Sequence, residues 1–311
     1  MEQSLGSLAA IAILMIAGYL LAARGWLEER AIGGLKALIT NLTLPLLLFR
    51  AFLQLRPDIR NILLAASIFA ACAVMGLAGA LLSRAARTPR PETRFLFQGF
   101  EAGMLGYALF SGYHGSDRLS DFAALDMGQV VYVFTVLMVQ MSMRRGARAM
   151  AGSQSPFPWR DILRSKVLWA IVGGLALSLA IPGVADYIAS RGAFTSALFD
   201  MVGGLTTPLV CIVIGASLGG GFLFDRTILR VVGMRIVIAV GAGLIIAYAV
   251  IPALGFSALH QKAAMLLFAL PPPFIIPVYH RENAQFVSSV LTFFTIVSVI
   301  LIAVLALAGV A

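Results

Sequence analysis

The sequence predicts an all-α polytopic membrane protein with ten transmembrane helices in two inverted five-helix repeats, the fourth and ninth helices being broken. Three observations lead there. Hydrophobic residues make up 60% of the 311 and charged residues 12%, far from the roughly 45–50% apolar, 25% charged mixture of a soluble domain, and mean hydropathy is +0.95. Ten apolar stretches approach the length needed to cross a bilayer. A Leu-Thr-x-Pro-Leu pattern occurs twice, once in each half of the chain.

In chain order the first stretch, 5–23, is not expected to be a cleaved signal peptide, because Met1-Glu2-Gln3 lacks a basic region and further spans follow at once. The second, 35–55, carries NLTLPLLLF at 41–49, and the third covers 61–83. The fourth, 95–113, overlaps GFEAGMLGYALFSGYHG, where Gly99, Gly103, Gly106 and Gly112 stand beside Glu101. Four glycines next to an acidic residue favour an interrupted helix. The fifth covers 122–142. The polar segment from Arg144 to Lys166 then divides the chain into a first repeat (1–145), a cytoplasmic linker (146–166) and a second repeat (167–311).

The second repeat holds the sixth span at 167–185 and the seventh at 197–221, which carries GLTTPLVCI at 204–212. The eighth covers 231–252 and the tenth 286–309. Between them 263–279 reads AAMLLFALPPPFIIPVY, broken by Pro271, Pro272, Pro273 and Pro277. Proline removes a backbone donor and clashes with the preceding turn, so this span must break where lipid cannot rescue the freed carbonyls. Such breaks persist inside protein or beside a watery cavity, and they point to a transport site. An odd number of crossings per repeat starts the second copy from the opposite face, which makes the repeats inverted.

Charge sets the orientation. Most Lys and Arg residues, from Arg24 to Arg281, fall in loops on one side, and only Arg56, Arg60, Arg118, Arg191 and Lys262 on the other. That roughly threefold excess places both termini outside. The net charge of +9 is carried in short loops between apolar spans, so no nucleic-acid partner is expected. Cys72 and Cys211 lie inside spans, without metal-ligand or disulfide spacing.

The fourth-span Gly-x-x-Gly-Tyr (Gly103, Gly106, Tyr107), LTLPLLLF, TTPLVCIVIGASLGG at 206–220 and ALPPPFIIPVYHREN at 269–283 together resemble the auxin efflux carrier family of permeases, bacterial type, over essentially the whole chain. The resemblance implies a scaffold domain and a transport domain whose fourth and ninth helices cross at mid-membrane. It also implies a small organic anion, a mono- or dicarboxylate, as substrate, carried across the cytoplasmic (inner) membrane. Two departures stand out: Glu101 where members often carry Asn, and Ala108 where the crossover proline is expected.

Each polar residue within a span has a functional and a structural reading. Glu101 either marks an ion or proton pathway or sits at the interface beside Arg94. Asp126, Gln129 and Tyr132 are three apart in turn and share one helix face, suiting a substrate or coupling role or an interhelical hydrogen bond. Asn41, Thr43, Thr206 and Thr207 flank Pro45 and Pro208, where they are expected to satisfy freed carbonyls. Arg50 and Arg235 are expected to snorkel to the headgroups, with a fork to a substrate carboxylate as the alternative. His280 joins a relay or sits at the interface, and His114 and His260 are expected in loops. Candidate substrate or coupling residues are thus Glu101, Gly103, Gly106, Tyr107, Asp126, Gln129, Asn41, Pro45, Pro208, Pro271, Pro272 and Pro273.

An enzymatic reading finds little. Gly215-Ala216-Ser217-Leu218-Gly219 matches a nucleophile elbow, but the motif needs a preceding strand. No Walker loop, dinucleotide fingerprint or paired-His metal motif occurs, so neither cofactor nor metal is expected. The sequence reading is an alternating-access carrier coupled to protons or sodium, with a homodimer compatible with it. Its alternative is a non-transporting membrane sensor or partner subunit with the carrier fold.

Overall fold

A computed structural model describes residues 2–55, 58–85, 92–141, 166–181, 183–184, 187–188, 193–218, 225–276 and 284–309. Among them every regular element is helical. In order these are α1 (Glu2–Ala23), α2 (Glu29–Leu38), α3 (Leu44–Gln54), α4 (Ile59–Ala85), α5 (Tyr107–His114), α6 (Leu119–Tyr132), α7 (Lys166–Ala180), α8 (Ala193–Gly204), α9 (Thr206–Leu218), α10 (Arg226–Ile245), α11 (Ile251–Ala253), α12 (Ala258–Ala269) and α13 (Ala284–Leu307). Among the described residues six helical runs are long and apolar enough to cross a membrane: Glu29–Gln54, Ile59–Leu82, Ser116–Met141, Ala197–Ser217, Arg226–Ala253 and Phe286–Leu307. Ala9–Ala23 and Lys166–Ala180 are shorter apolar helices. Among the described residues of 95–113 and 263–279 there is no continuous span-length helix. All of the 144–166 segment except Lys166, and Pro277, His280, Arg281 and Glu282, lie outside the described residues.

Two of the three runs that hold a proline contain a wide turn before it. A π turn, Ile39–Thr43, links α2 to α3, and the Leu44 N–H reaches back five residues to Ile39 O. Pro45 then falls in the first turn of α3, where its missing N–H would have no helical partner. The π turn Ile246–Val250 does the same before Pro252. At Pro208 the device differs: the helix stops at Gly204 and restarts at Thr206. Threonine does not perform the expected rescue. The Thr43 and Thr206 hydroxyls are buried without a hydrogen-bond partner, Thr207 donates to Ala108 O, and Asn41 donates to Ala37 O one turn back. Widening the backbone relieves the clash with no side-chain donor, so the hydroxyls are not drawn in.

Two compact units emerge, each drawing on both halves of the sequence: Met1–Asn61, Gly103–Ala124 and Arg164–Gly221 form one, and Ile62–Ala102, Leu125–Leu163 and Phe222–Ala311 the other. In the first, α1 and α9 pack almost backbone to backbone. A methyl group on Gly18 would overlap Ile212 O, and one on Gly215 would overlap Met15 O. Small residues of this kind are how apolar helices gain contact without a hydrophobic driving force. Gly215 is therefore a packing glycine, and Ser217 bonds its own helix at Val213 O, which removes the nucleophile-elbow reading. In the second unit Gly128 gives α6 the same close approach to Ala65 on α4.

The core of the second unit gathers where two helical segments end, the 3-10 turn Thr93–Phe97 and α12. Phe95, Leu96, Phe97 and Phe100 are buried, as is the whole run from Ala263 to Leu270. Phe100 stands edge-on to Phe268 at 4.8 Å. Cys72 and Cys211 are buried free thiols.

Gly215→Ala and Gly18→Ala are expected to lower the thermal midpoint of the purified chain, since overpacking of this kind costs about 1–3 kcal/mol. Gly33→Ala, with nothing within 4 Å, serves as control. Equal melting of all three would refute the close crossing.

Candidate functional site at two helix interruptions

The fourth apolar stretch begins as a 3-10 turn, Thr93–Phe97, and then leaves helical geometry. Gln98 is extended, with φ −107 and ψ 129. Gly99 has φ +67, a conformation that only glycine adopts readily. A side chain there would also meet Val133 Cγ2 at 2.7 Å and Pro273 Cγ at 3.1 Å. Helix resumes with the π turn Ala102–Gly106 and α5. In the ninth stretch α12 stops at Ala269, and Leu270 is already extended, because the three prolines that follow admit no helical hydrogen bonds.

The two interruptions satisfy each other. The Glu101 N–H donates to Pro271 O at 2.8 Å, and the Phe274 N–H donates to the Glu101 carboxylate at 2.6 Å. Glu101 is thereby tied to both ends of the proline run, by its backbone to Pro271 and by its side chain to Phe274. A carboxylate accepting a backbone N–H forms a charge-assisted bond, stronger than one between neutral groups.

Arg235, from α10, completes the arrangement. Its Nη1 donates to Leu96 O at 2.5 Å and its Nη2 to Gly99 O at 2.7 Å, while the rings of Phe100 and Phe294 lie 5.4 and 5.2 Å from the guanidinium. The residue is 0% exposed. Snorkelling, expected from the sequence, is thus wrong for Arg235: the guanidinium turns inward, where carbonyls lacking helical donors hold it more strongly than water at a distant surface. Hydropathy marks Arg235 as polar within a span, but no local signal names carbonyls 136 and 139 residues away.

The face of α6 predicted by its three-residue spacing lies against the same interruption. Asp126, Gln129 and Tyr132 are all buried. Gln129 accepts from the Phe100 N–H at 3.2 Å and donates to Asp126 at 2.9 Å. Tyr132 donates to Gln98 Oε1 at 2.8 Å, and Gln98 donates to Gln140 Oε1 at 3.1 Å. Gln98 and Gln140 were not singled out by sequence. With Arg94, Phe69, Gly76 and Tyr132 they help line a cavity of about 590 Å³.

Of the residues predicted for the site, Glu101, Asp126, Gln129 and Pro271 to Pro273 belong to this second unit. Gly103, Gly106, Tyr107, Asn41, Pro45 and Pro208 belong to the first. There Tyr107 packs edge-on against Phe122 at 4.9 Å, Asn41 is exposed, and Pro208 lines a cavity of about 450 Å³ with Ser111, Thr207 and Asp200. The Arg50 side chain, 12% exposed, bonds Asp200 at 2.6 Å and Asp117 at 3.1 Å, so its fork is taken up by two carboxylates of the chain. His114 ends α5 and His260 stands in the first turn of α12 beside Ser257, so both are helical rather than loop residues.

Among the described residues no group of three or more His, Cys, Asp or Glu is arranged to hold a metal ion. A family model described as "Membrane transport protein" matches residues 4–307. No curated protein matches the chain.

Arg235→Met keeps most of the bulk but strips two buried carbonyls of their donors, at about 1–3 kcal/mol each. Its thermal midpoint is expected to fall by more than that of Arg235→Lys, which restores one donor. A stable, fully folded Arg235→Met would show that these carbonyls have another source of stabilisation.

Proposed function

The chain belongs to the membrane transport protein family, that of the auxin efflux carriers, and from that premise we propose that it is a secondary active transporter of a small organic anion, a mono- or dicarboxylate, working by alternating access. In this reading ten spans form two inverted five-helix repeats, 1–145 and 167–311, and the interrupted fourth and ninth spans cross. The observation that carries it is the hydrogen-bonded meeting of 98–101 with 270–274 through Glu101. Non-helical backbone in an apolar core is costly, and carriers accept that cost where a site is built.

Each part has a role. Amides at the opposed half-helix ends attract the anionic group of the substrate. Glu101, with Asp126 and Gln129 behind it, carries the coupling proton or responds to sodium. Pro45 and Pro208 shape the paired spans that stand opposite in the two repeats, and Gly103, Gly106 and Tyr107 form the flexible exit from the break. The loop charges support a chain in the cytoplasmic membrane with both termini outside.

Uptake of radiolabelled mono- and dicarboxylates by proteoliposomes tests the reading. Accumulation driven by an imposed proton or sodium gradient is expected, and Glu101→Gln is expected to abolish it while leaving substrate exchange, because the amide keeps the shape but exchanges no proton. Gradient-driven accumulation by Glu101→Gln would shift coupling to Asp126. No uptake by the wild-type chain, with ligand binding retained, would favour a non-transporting sensor.

Sidedness is tested separately. Cysteine introduced in the 146–166 segment should resist an impermeant thiol reagent in intact cells, and one at position 311 should react; the reverse would overturn the orientation.

A further inference from the structure

We propose that Arg50 is a carboxylate-recognition residue at the cavity of the first unit, and that Asp117 is the intramolecular carboxylate that holds its place until an anionic ligand displaces it. The ligand class, a small organic carboxylate, rests on the transport reading above. The site itself rests on geometry.

Arg50 projects from α3 to two carboxylates carried by different elements. Nη1 meets Asp200 of α8 at 2.6 Å, and Nη2 meets Asp117 of the 3-10 turn Ser116–Arg118 at 3.1 Å. The guanidinium also covers the Phe199 ring at 5.9 Å. Phe199, Asp200 and Ser116 all line the cavity of about 450 Å³, so Arg50 stands at its edge. That volume falls within the roughly 300–1,000 Å³ of small-molecule sites. Inside, Ser111 and Thr207 pair their hydroxyls at 3.1 Å among apolar walls that include Ile11, Leu14 and Leu47. Apolar walls with a few convergent polar groups are what a small amphipathic acid requires.

The two carboxylates are unequal. The Asp117 side chain is 87% exposed and that of Asp200 58% exposed, against 12% for Arg50. An ion pair with a well-solvated partner is weak, because water serves the released group nearly as well. Arg50, largely withdrawn from water, has no such alternative and must keep a partner. Asp117, on the longer bond and a three-residue turn, is therefore the group that leaves. An incoming carboxylate takes over its side of the guanidinium fork.

Charge makes the exchange obligatory. Arg50, Asp200 and Asp117 sum to one negative charge, since one cation faces two anions. An anion that entered without displacing Asp117 would raise this to two and meet repulsion. One that replaces Asp117 leaves the local charge unchanged. The site thus selects for carboxylates over neutral analogues, and its turn moves when it is filled.

Thermal melting of the purified full chain, titrated with succinate or benzoate against chloride at constant ionic strength, tests this. A ligand of the folded state raises its apparent stability. Asp117→Asn, which removes the competitor at an exposed position, should reach half-maximal stabilisation at roughly two- to fivefold lower ligand concentration. Arg50→Gln should lose the response, and Arg50→Lys, which keeps the charge without the fork, should weaken it. An unchanged or weaker response in Asp117→Asn overturns the proposal whether or not the Arg50 variants fold, as does the absence of any response to either acid in the wild type. Binding without uptake in proteoliposomes would count against the transport reading and leave Arg50 assigned.

Discussion

An unpaired backbone carbonyl or amide buried away from water is costly, and the second unit is organised around meeting that constraint at two places where helix is impossible. Gly99 turns the chain out of helical geometry, and the prolines from 271 to 273 forbid helix outright. The freed groups are then paired one by one: Glu101 with Pro271 and Phe274, Leu96 and Gly99 with Arg235, and Phe100 with Gln129. Remove Arg235 and two carbonyls lose their donors; remove the Gln129 side chain and the Phe100 N–H loses its acceptor. The rings of Phe100 and Phe294 flank the Arg235 guanidinium, whose bonds to Leu96 and Gly99 are buried and gain strength from that low-dielectric setting.

The same constraint explains the gentler irregularities. Pro45 and Pro252 each follow a π turn that lets the helix continue, whereas Pro208 follows a one-residue stop. These solutions leave side chains such as Thr43 and Thr206 with buried hydroxyls that pair with nothing. Glycines act differently. Gly18, Gly128 and Gly215 bring helix backbones together, supplying by dispersion what the hydrophobic effect supplies in water.

Arg50 and Arg235 show how one residue type serves two purposes according to depth and company. Arg235 is wholly buried, its charge spread over two carbonyls and two rings, an arrangement suited to holding backbone in place. Arg50 keeps a little exposure and faces carboxylates that water can also serve. Arg235 is thus suited to stay in place, and Arg50 to the exchange of partners proposed above.

Much of this was legible in the sequence. Composition and the apolar windows follow from the transfer energies of individual side chains, and so dictate a helical membrane protein without reference to any partner. Proline and the Gly-rich run act on their own backbone, so the chain alone points to irregular backbone within Gly99–Gly112 and Pro271–Pro277; helical geometry is lost only at Gln98–Glu101, on the edge of the first window, and from Leu270 before the second. Three-residue spacing, a property of one helix, put Asp126, Gln129 and Tyr132 on a common face. What the tertiary structure decided is which groups meet. Arg235 reaches Leu96 and Gly99, and Arg50 reaches Asp117 and Asp200, across separations of 67 to 150 residues. Local pattern carries no information at that range, because the energy of a buried polar group is set by its neighbours in space and not along the chain.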